Sequence, residues 1–325
     1  MKERELRRKL AELKELASRE QINIHDEIQL LESKLAHNGN HTGSAWQTVK
    51  TSRLVDRPTS LDYINLIFDD FMELHGDRFF SDDPAMIGGI AKLNGRPVTV
   101  IGQQRGRNLK ENLVRNGGMA LPDGYRKALR LVRQAEKFGR PVISLVDTGG
   151  AYPGVAAEER GIGEAIAHNL REFFSVKTPI IIVIIGQGGS GGALGIGIGD
   201  VVYMLQNAIY SVISPEGCAS ILLRDGSKAE YAASLMKLTA RDLYAIKVID
   251  AIIEEPVGGA HKNPEVAAAN IKNAILGSLE RLGAKTKDQL LRERFEKFRQ
   301  MGVFAEKVER KKGILRRLFG RRNGR

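Results

Sequence analysis

The sequence predicts an α/β protein wound from repeated strand–turn–helix units, and three observations predict it. First, three segments enter a branched apolar run through a proline: Pro97-Val-Thr-Val-Ile, Pro141-Val-Ile-Ser-Leu-Val and Pro179-Ile-Ile-Ile-Val-Ile-Ile. Runs that are apolar at successive positions, rather than at alternate ones, suit strands covered on both faces. Second, the runs at Pro141 and Pro179 each end in a glycine-rich turn. Third, helical stretches lie between the strands at a pitch of roughly forty residues, as a repeatedly wound unit requires.

Taken in chain order, residues 2–36 hold eight basic and eight acidic residues. Leu6, Leu10 and Leu13, then Ile24, Ile28, Leu31 and Leu35, recur at steps of three and four. This predicts an amphipathic helix or helical hairpin with a narrow apolar seam, which must pack on the main domain or on another subunit. The polar segment HNGNHTGSAWQTVKTSR (37–53) reads as a linker, so residues 1–56 form a helical N-terminal extension. The core is expected over 57–262. Within it, the helix from Tyr125 to Phe138 ends at Gly139, a natural left-handed stop, and a second helix is expected from Glu159 to Phe174. Helix resumes over 263–306, ahead of a basic tail at 307–325 that reads as a mobile, solvated end.

Bulk composition narrows the function. A chain of 325 residues with 42% hydrophobic and 27% charged residues can bury a large core and is ordinary for a soluble protein. The one cysteine, Cys218, rules out a disulfide framework or a cysteine-built zinc site within the chain. It reads as an inert, partly buried thiol. The N-terminus shows no apolar signal region, and a cytoplasmic protein is expected. Residues 178–199 carry no charge, but only their first third is strongly apolar, which favours a buried strand and turn over a membrane span. The net charge of +11 suggests nucleic acid until it is located. The last nineteen residues carry nine Lys or Arg and one Glu, so only three of the eleven net charges belong to the other 306 residues. Basicity is therefore a property of the tail, and RNA or membrane contact would be a second activity confined to it.

The third strand raises the chemical question. Eight glycines fall between positions 186 and 199, in GQGGSGGALGIGIG. A strand that ends in glycines and turns into a helix offers unpaired backbone N–H groups at a helix start, where anions or developing negative charge are stabilised. Adjacent glycines also let a substrate approach the main chain closely. A Walker A loop is excluded because no lysine follows. Gly186-Gln-Gly188-Gly-Ser-Gly191 satisfies a dinucleotide fingerprint, yet no acidic residue ends a strand about twenty residues on. Gly188-Gly-Ser190-Gly-Gly192 satisfies a nucleophile elbow, with His261 as the one later histidine and Asp225, Asp242 or Asp250 as possible acids. The plainer reading of Ser190 is a small residue in a glycine turn. Acyl or enolate chemistry at a backbone oxyanion hole is the third use such donors could serve. Met236-Lys237-Leu238 is close to a biotin-attachment tripeptide, but its surroundings have helical periodicity and Lys237 reads as a solvated helix residue. His25, His37, His41, His75 and His168 lack metal-ligand spacing.

GQGGSGGALGIGIGDVVYML resembles the Gly-Gly helix start of the crotonase superfamily. GYRKALRLVRQAEKFGRPVISLVDTGGAYPGVAAEERGIGEAIA, then YSVISPEGCASILLRD and GGAHKNP, resemble the alpha subunits of bacterial acetyl-CoA carboxylase carboxyltransferase over roughly residues 5–300. That family usually has proline at Gly149, glutamate at Gln187, and Phe-Gly-Met-Pro where Gly117-Gly-Met-Ala120 stands. The resemblance implies a crotonase-like (ClpP/crotonase) spiral and a biotin-dependent carboxyltransferase for fatty acid biosynthesis. A zinc-containing beta subunit, expected as an α2β2 assembly, would bind acetyl-CoA and malonyl-CoA. Carboxybiotin would arrive on a separate biotin carboxyl carrier protein loaded by biotin carboxylase. Negative charge develops on the ureido oxygen as CO2 leaves, and biotin itself takes the proton from the acetyl methyl group. The family's oxyanion hole corresponds to Gly191 and Gly192, with Gly188, Gly189, Gly149, Gly150 and Tyr152 as substrate-binding candidates and no metal in this chain. Transfer to another acyl-CoA and a Ser190 hydrolase are the alternatives.

Overall fold

A computed structural model describes residues 44–302, and its organising element is one eight-stranded sheet. The expected N-terminal amphipathic helices and the basic tail lie outside the described residues. In chain order the strands are β1 (Asp69–Glu73), β2 (Met86–Leu93), β3 (Arg96–Gln103), β4 (Val142–Thr148), β5 (Ile180–Gly189), β6 (Val201–Leu205), β7 (Ile209–Ser211) and β8 (Ala251–Ile253). The path across the sheet is β1-β2-β3-β4-β5-β6-β8, with β7 paired to β5 beside that path. From β3 to β8 all pairings are parallel, and the three proline-led runs are β3, β4 and β5. Their uniform apolarity has the expected cause, since all seven residues of β4 and Ile180–Ile185 of β5 are buried.

β1, β2 and β3 form an antiparallel edge that the sequence reading did not anticipate beyond β3. The Gly88-Gly89 pair inside β2 weakens its strand signal. It is there because β1 runs close by: a side-chain carbon on Gly89 would lie 2.0 Å from the Met72 carbonyl oxygen. The turn between β2 and β3, Asn94-Gly95, has both residues at positive φ (48° and 78°), the Asn-Gly hairpin signature.

The segment read as a linker is partly helical, and that expectation is corrected. Ser44 caps the helix α1 (Ala45–Ser52) by accepting from the Gln47 amide. Val49 of α1 is buried against Ile209, Ala233 and Leu238, partners more than 150 residues away that no local reading reveals. After α2 (Ser60–Ile67) and the short α3 (Leu109–Val114), α4 (Pro122–Lys137) fills the expected first helix. It begins earlier because Pro122 occupies its first turn, and Gly139 beyond its end has φ +65°. The second expected helix is divided into α5 (Val155–Glu159) and α6 (Ile162–Ser175), because Gly161 between them is left-handed, at φ +78°.

Beyond β5 come α7 (Ser190–Leu194), α8 (Pro215–Leu223), α9 (Ala229–Leu235) and α10 (Ala240–Ala245). Lys237 is not a helix residue as expected: it lies in the turn between α9 and α10 at φ +54°, paired with Asp242 at 3.7 Å. The C-terminal helices are α11 (Pro264–Gly283) and α12 (Lys287–Arg299), separated by a Thr286 capping box. Ile271, Ile275 and Leu279 of α11 and Leu290 of α12 belong to the same core as the sheet. Among the described residues no helix is long and apolar enough to cross a membrane.

Arg294 ties α12 to that core. It is 1% exposed, yet its donors are satisfied: Nε and Nη2 reach Asp200 at 2.9 and 2.8 Å, and the Phe173, Val176 and Thr178 carbonyls accept the rest. Two of those carbonyls, Phe173 and Val176, lie at the C-terminal end of α6, where a cation is favoured. A buried carboxylate stripped of its partner is costly, so Arg294→Met is expected to lose about 3–5 kcal/mol of unfolding free energy in denaturant titration. A loss below about 1 kcal/mol would show that the pair contributes no more than a surface bridge.

Candidate functional site: two glycine turns and an apolar cavity

The site is set up by the length of β5. Its first half, Ile181–Ile184, pairs with β6, whereas Gln187–Gly189 extend past β6 and pair with β7. The glycine end is thereby carried beyond the body of the sheet before the chain reverses at Ser190, which has φ +51°. The five-residue α7 follows at once. The amides of its first turn, including those of Gly191 and Gly192, have no intrahelical carbonyl to meet. The Gly191 carbonyl accepts from the Gly195 amide at 2.9 Å, so it points along α7. Because the peptide is planar and trans, the Gly192 N–H on that same plane points the opposite way, out of the start of the helix.

The next peptide is anchored by side chains from β3 and α4. The Gly192 carbonyl accepts from Gln103 Nε2 at 2.7 Å and from the Tyr125 hydroxyl at 3.1 Å. Burial pushes the Tyr125 phenol well above its ordinary value, which keeps it a donor. Gln103 uses its other end, Oε1, to accept from the Asp147 amide at 3.2 Å. Asp147, 1% exposed at the end of β4, accepts from the Gln187 amide at 2.9 Å and from Arg105 Nε at 2.7 Å. β3, β4 and β5 are thus stitched together at the ends that carry the turns.

The turn after β4 meets the turn after β5 backbone to backbone. A side-chain carbon on Gly189 would lie 2.2 Å from the Gly149 carbonyl oxygen, and one on Gly192 would lie 2.3 Å from the Gly150 carbonyl carbon. Gly149 and Gly150 themselves face open space, since a methyl group on either would have nothing within 4 Å. The Gly117-Gly118 turn adjoins them, since a carbon on Gly118 would lie 2.9 Å from the Asp147 carbonyl oxygen. Of the expected site residues, Gly149, Gly150, Gly189 and Gly192 are therefore brought together. Gly188 instead lies under the Tyr210 ring, 2.6 Å from where its side-chain carbon would be. Tyr152 packs its ring on Gly154 and donates its amide to the Ala120 carbonyl at 3.1 Å.

Gly191 and Ser190 line a cavity of about 340 Å³ that is almost wholly apolar, completed by Leu194, Tyr210, Leu243 and Phe298. Burial pushes the Tyr210 phenol up to about 12, so it stays neutral there. Tyr210, Leu243, Phe298, Gln103 and Tyr125 escaped the sequence reading. For Tyr210 a signal existed, because it belongs to the YSVISPEG segment already singled out.

A buried ion pair supports the floor. Arg57 and Glu255, both side chains fully buried, meet at 2.7 Å, and Arg57 Nε donates to the Ile185 carbonyl just before the glycines. Burial by itself would raise the Glu255 carboxyl; hydrogen bonds from Arg57 and Asn207 outweigh it and hold the group below its ordinary range. Gln187, where the resembling family usually has glutamate, accepts from Arg53 Nε at 3.0 Å.

The hydrolase alternative is not assembled. Among the described residues no hydrogen bond joins Ser190 to His261, whose Nδ1 is buried without a partner. The three possible acids are committed elsewhere: Asp225 to Ser227, Asp242 to Thr239, and Asp250 to the Val202 amide and Lys297. Among the described residues no group of three or more His, Cys, Asp or Glu could hold a metal ion.

The family profile described as acetyl co-enzyme A carboxylase carboxyltransferase-like matches residues 2–302. The chain is 57% identical over 297 residues to the acetyl-coenzyme A carboxylase carboxyl transferase subunit alpha of Treponema denticola, covering 91% of this chain and 97% of that protein. It is 55% identical over 306 residues to the subunit of the same name from Staphylococcus haemolyticus, covering 93% and 97%. Among solved structures it resembles the transcarboxylase 12S core at TM-score 0.58 and 20% identity, over 80% of this chain but only 46% of that longer one. A Pseudomonas malonate decarboxylase hetero-tetramer gives TM-score 0.55 at 16% identity, covering 66% of this chain and 85% of that one. These likenesses establish a crotonase-like carboxyltransferase fold.

The contact between the turns is testable by stability. Gly192→Ala forces a carbon into the Gly150 peptide and is expected to cost about 1–3 kcal/mol in denaturant titration, as overpacking does. Gly149→Ala points into open space and should change stability by less than about 0.5 kcal/mol. The reverse ranking would contradict the close approach.

Proposed function

The chain belongs to the family of acetyl-CoA carboxylase carboxyltransferase alpha subunits, and on that premise we propose that it accepts the carboxyl group of carboxybiotin and delivers it toward acetyl-CoA, yielding malonyl-CoA. One observation supports this most: outward-facing amides at the start of α7, set against an open glycine turn and beside an apolar cavity. Biotin combines a polar ureido group with an apolar ring and arm, and this pairing of amides with an apolar wall fits both parts. When bound, biotin supplies the transferable carboxyl and the basic ureido nitrogen that removes the acetyl proton.

This chain's residues then have defined tasks. The Gly191 and Gly192 amides donate to the ureido oxygen as it gains negative charge, and such preorganised donors are each worth about 3–4 kcal/mol in the transition state. Gln103 and Tyr125 anchor the turn by holding the Gly192 carbonyl, on the peptide that follows the second donor. Gly149 and Gly150, free of side chains, leave room for the ring. Leu194, Tyr210 and Phe298 shield the site from water. The subunit works with a beta subunit. We assign acetyl-CoA binding, its oxyanion hole and a zinc site to that partner, in an α2β2 arrangement served by a biotin carboxyl carrier protein and biotin carboxylase in the cytoplasm. The catalytic core in this reading is 57–262, buttressed by the helices of 263–306.

Two substitutions measured in the complex with the beta subunit test the proposal. Ser190→Ala should leave malonyl-CoA formation within a few-fold of wild type. Gly191→Val should lower it by about 100-fold or more without unfolding the chain, since a side-chain carbon there meets only Ile166, at 3.8 Å. The chain alone, given free biotin and malonyl-CoA, should be inactive. Loss of activity in Ser190→Ala, together with labelling by a serine-directed reagent, would overturn the mechanism.

A further inference from the structure

A second concave site lies between α4 and α6, apart from the apolar cavity, with a volume of about 510 Å³. Arg126, Arg130 and Arg133 reach it from α4, at steps of four and three that place them on one helix face, and Arg78 reaches it from the loop after β1. Asp77 and Glu164 also line it, so four guanidiniums face two carboxylates. The arginines are not equally committed. Arg126 pairs with Asp77 and Asp123 at 3.0 and 2.9 Å, and Arg133 pairs with Glu172 at 3.0 Å. Arg130 donates only to the carbonyls of Gly76 and His75, at 3.0 and 3.1 Å, and Arg78 has no hydrogen-bond or carboxylate partner among the described residues. Burial, then repulsion from Arg78, lowers the Arg130 guanidinium from its ordinary value, while Asp82 and Asp77 oppose the shift.

The backbone holds Arg78 in place. Its φ is +64°, a conformation that is strained for a non-glycine residue and persists only where the surroundings enforce it. Enforcement comes from Asp77 Oδ1, which accepts from the Phe79, Phe80 and Ser81 amides at 2.9, 2.8 and 3.1 Å, while Oδ2 is held by Arg126. At the inner end of the cleft stands Asn169, 1% exposed. Its Nδ2 donates to the carbonyls of Tyr125 and Gly195, both at 2.9 Å, which fixes the amide orientation and leaves Oδ1 as a buried acceptor without a partner. Such an orphan is destabilising unless a donor reaches it.

Two guanidiniums without a carboxylate partner, Arg130 held only by carbonyls and Arg78 by nothing among the described residues, and one unfilled acceptor describe a compact anion that carries a hydroxyl. We propose that the cleft between α4 and α6 binds a phosphate group, free or as a monoester, with Arg78 and Arg130 holding its oxygens and Asn169 Oδ1 accepting from the P–OH of free phosphate or from an alcohol hydroxyl of the ester. Guanidinium geometry matches phosphate oxygens in pairs, where a lone carboxylate would leave the asparagine unfilled. The same asparagine braces Gly195 at the end of α7, so the ligand lies against the back of the glycine turn.

Calorimetric titration of the full-length chain with inorganic phosphate, and separately with glycerol 3-phosphate, tests this. Saturable 1:1 binding is expected. It should weaken about tenfold or more in Arg130→Gln and in Arg78→Asn, since each lost charge-assisted bond is worth about 1.5–3 kcal/mol. Asparagine tolerates the left-handed turn, and an unchanged melting temperature would confirm that both variants are folded. Lys137→Gln, exposed on the same helix outside the cleft, should bind as wild type. Equal affinity for the two probes identifies the phosphate group itself, and tighter binding of the ester identifies a phosphorylated small molecule. Absence of saturable binding by either probe, undiminished binding in either folded arginine variant, or binding of an acidic peptide in place of both probes would overturn the proposal.

Discussion

Two strand-end turns lie against each other with no room for a carbon atom between them, and the rest of the site follows from that contact. Gly189 and Gly192 on one side and the Gly149–Ala151 backbone on the other approach so closely that a methyl group at either glycine would lie 2.2–2.3 Å from a main-chain atom. Any side chain would separate the turns and rotate the peptides between them. Glycine at these positions is therefore a requirement of packing before it is a requirement of chemistry. In the proposed reaction the same contact serves the chemistry, because a peptide fixed by its neighbours presents its N–H in one direction and has no reorganisation left to perform when charge appears.

The contact is maintained by polar groups buried out of reach of solvent. Gln103 spans from the β4 backbone to the Gly192 carbonyl, and Asp147 spans from Arg105 to the Gln187 amide. Farther out, Arg57–Glu255 grips the Ile185 carbonyl and the β6–β7 connection, while Arg294–Asp200 fastens α12 beneath the start of β5. Buried ion pairs are poor sources of net stability, but removing one partner is severe. Their value here is register. Each pair fixes where β5 begins, where it is gripped before its glycines, or how its neighbours meet it, and a shift of one residue would turn the glycine end to the wrong face.

Much of this was legible in the sequence, for local reasons. The strands β3, β4 and β5 announced themselves by proline entry and uniform apolarity, and α4 by its stop at Gly139. The glycine doublet at 191 and 192 stood out because bare backbone after a buried strand serves close approach and main-chain donors alike. What stayed hidden depends on distant partners. α1 looked like linker because its buried residue, Val49, meets Ile209, Ala233 and Leu238, which the local pattern cannot reveal. β2 was masked by Gly88-Gly89, glycines set by the approach of Met72. The stretch around Lys237 had helical periodicity but breaks there, where the Leu238 carbonyl accepts from the Tyr210 amide. Tyr210, Gln103 and Phe298 gain meaning only once β7, β3 and α12 converge on β5.

The central claim is that peptide amides, held by backbone contact, receive the charge of the transferred group's carrier. The most direct measurement is a crystal structure of the alpha–beta complex with biotin bound. The ureido oxygen is expected about 2.7–3.1 Å from the Gly191 and Gly192 nitrogens, with the ring over Gly149 and Gly150. A ureido group held by side chains elsewhere, with those two amides bonded to water or to the protein, would contradict it.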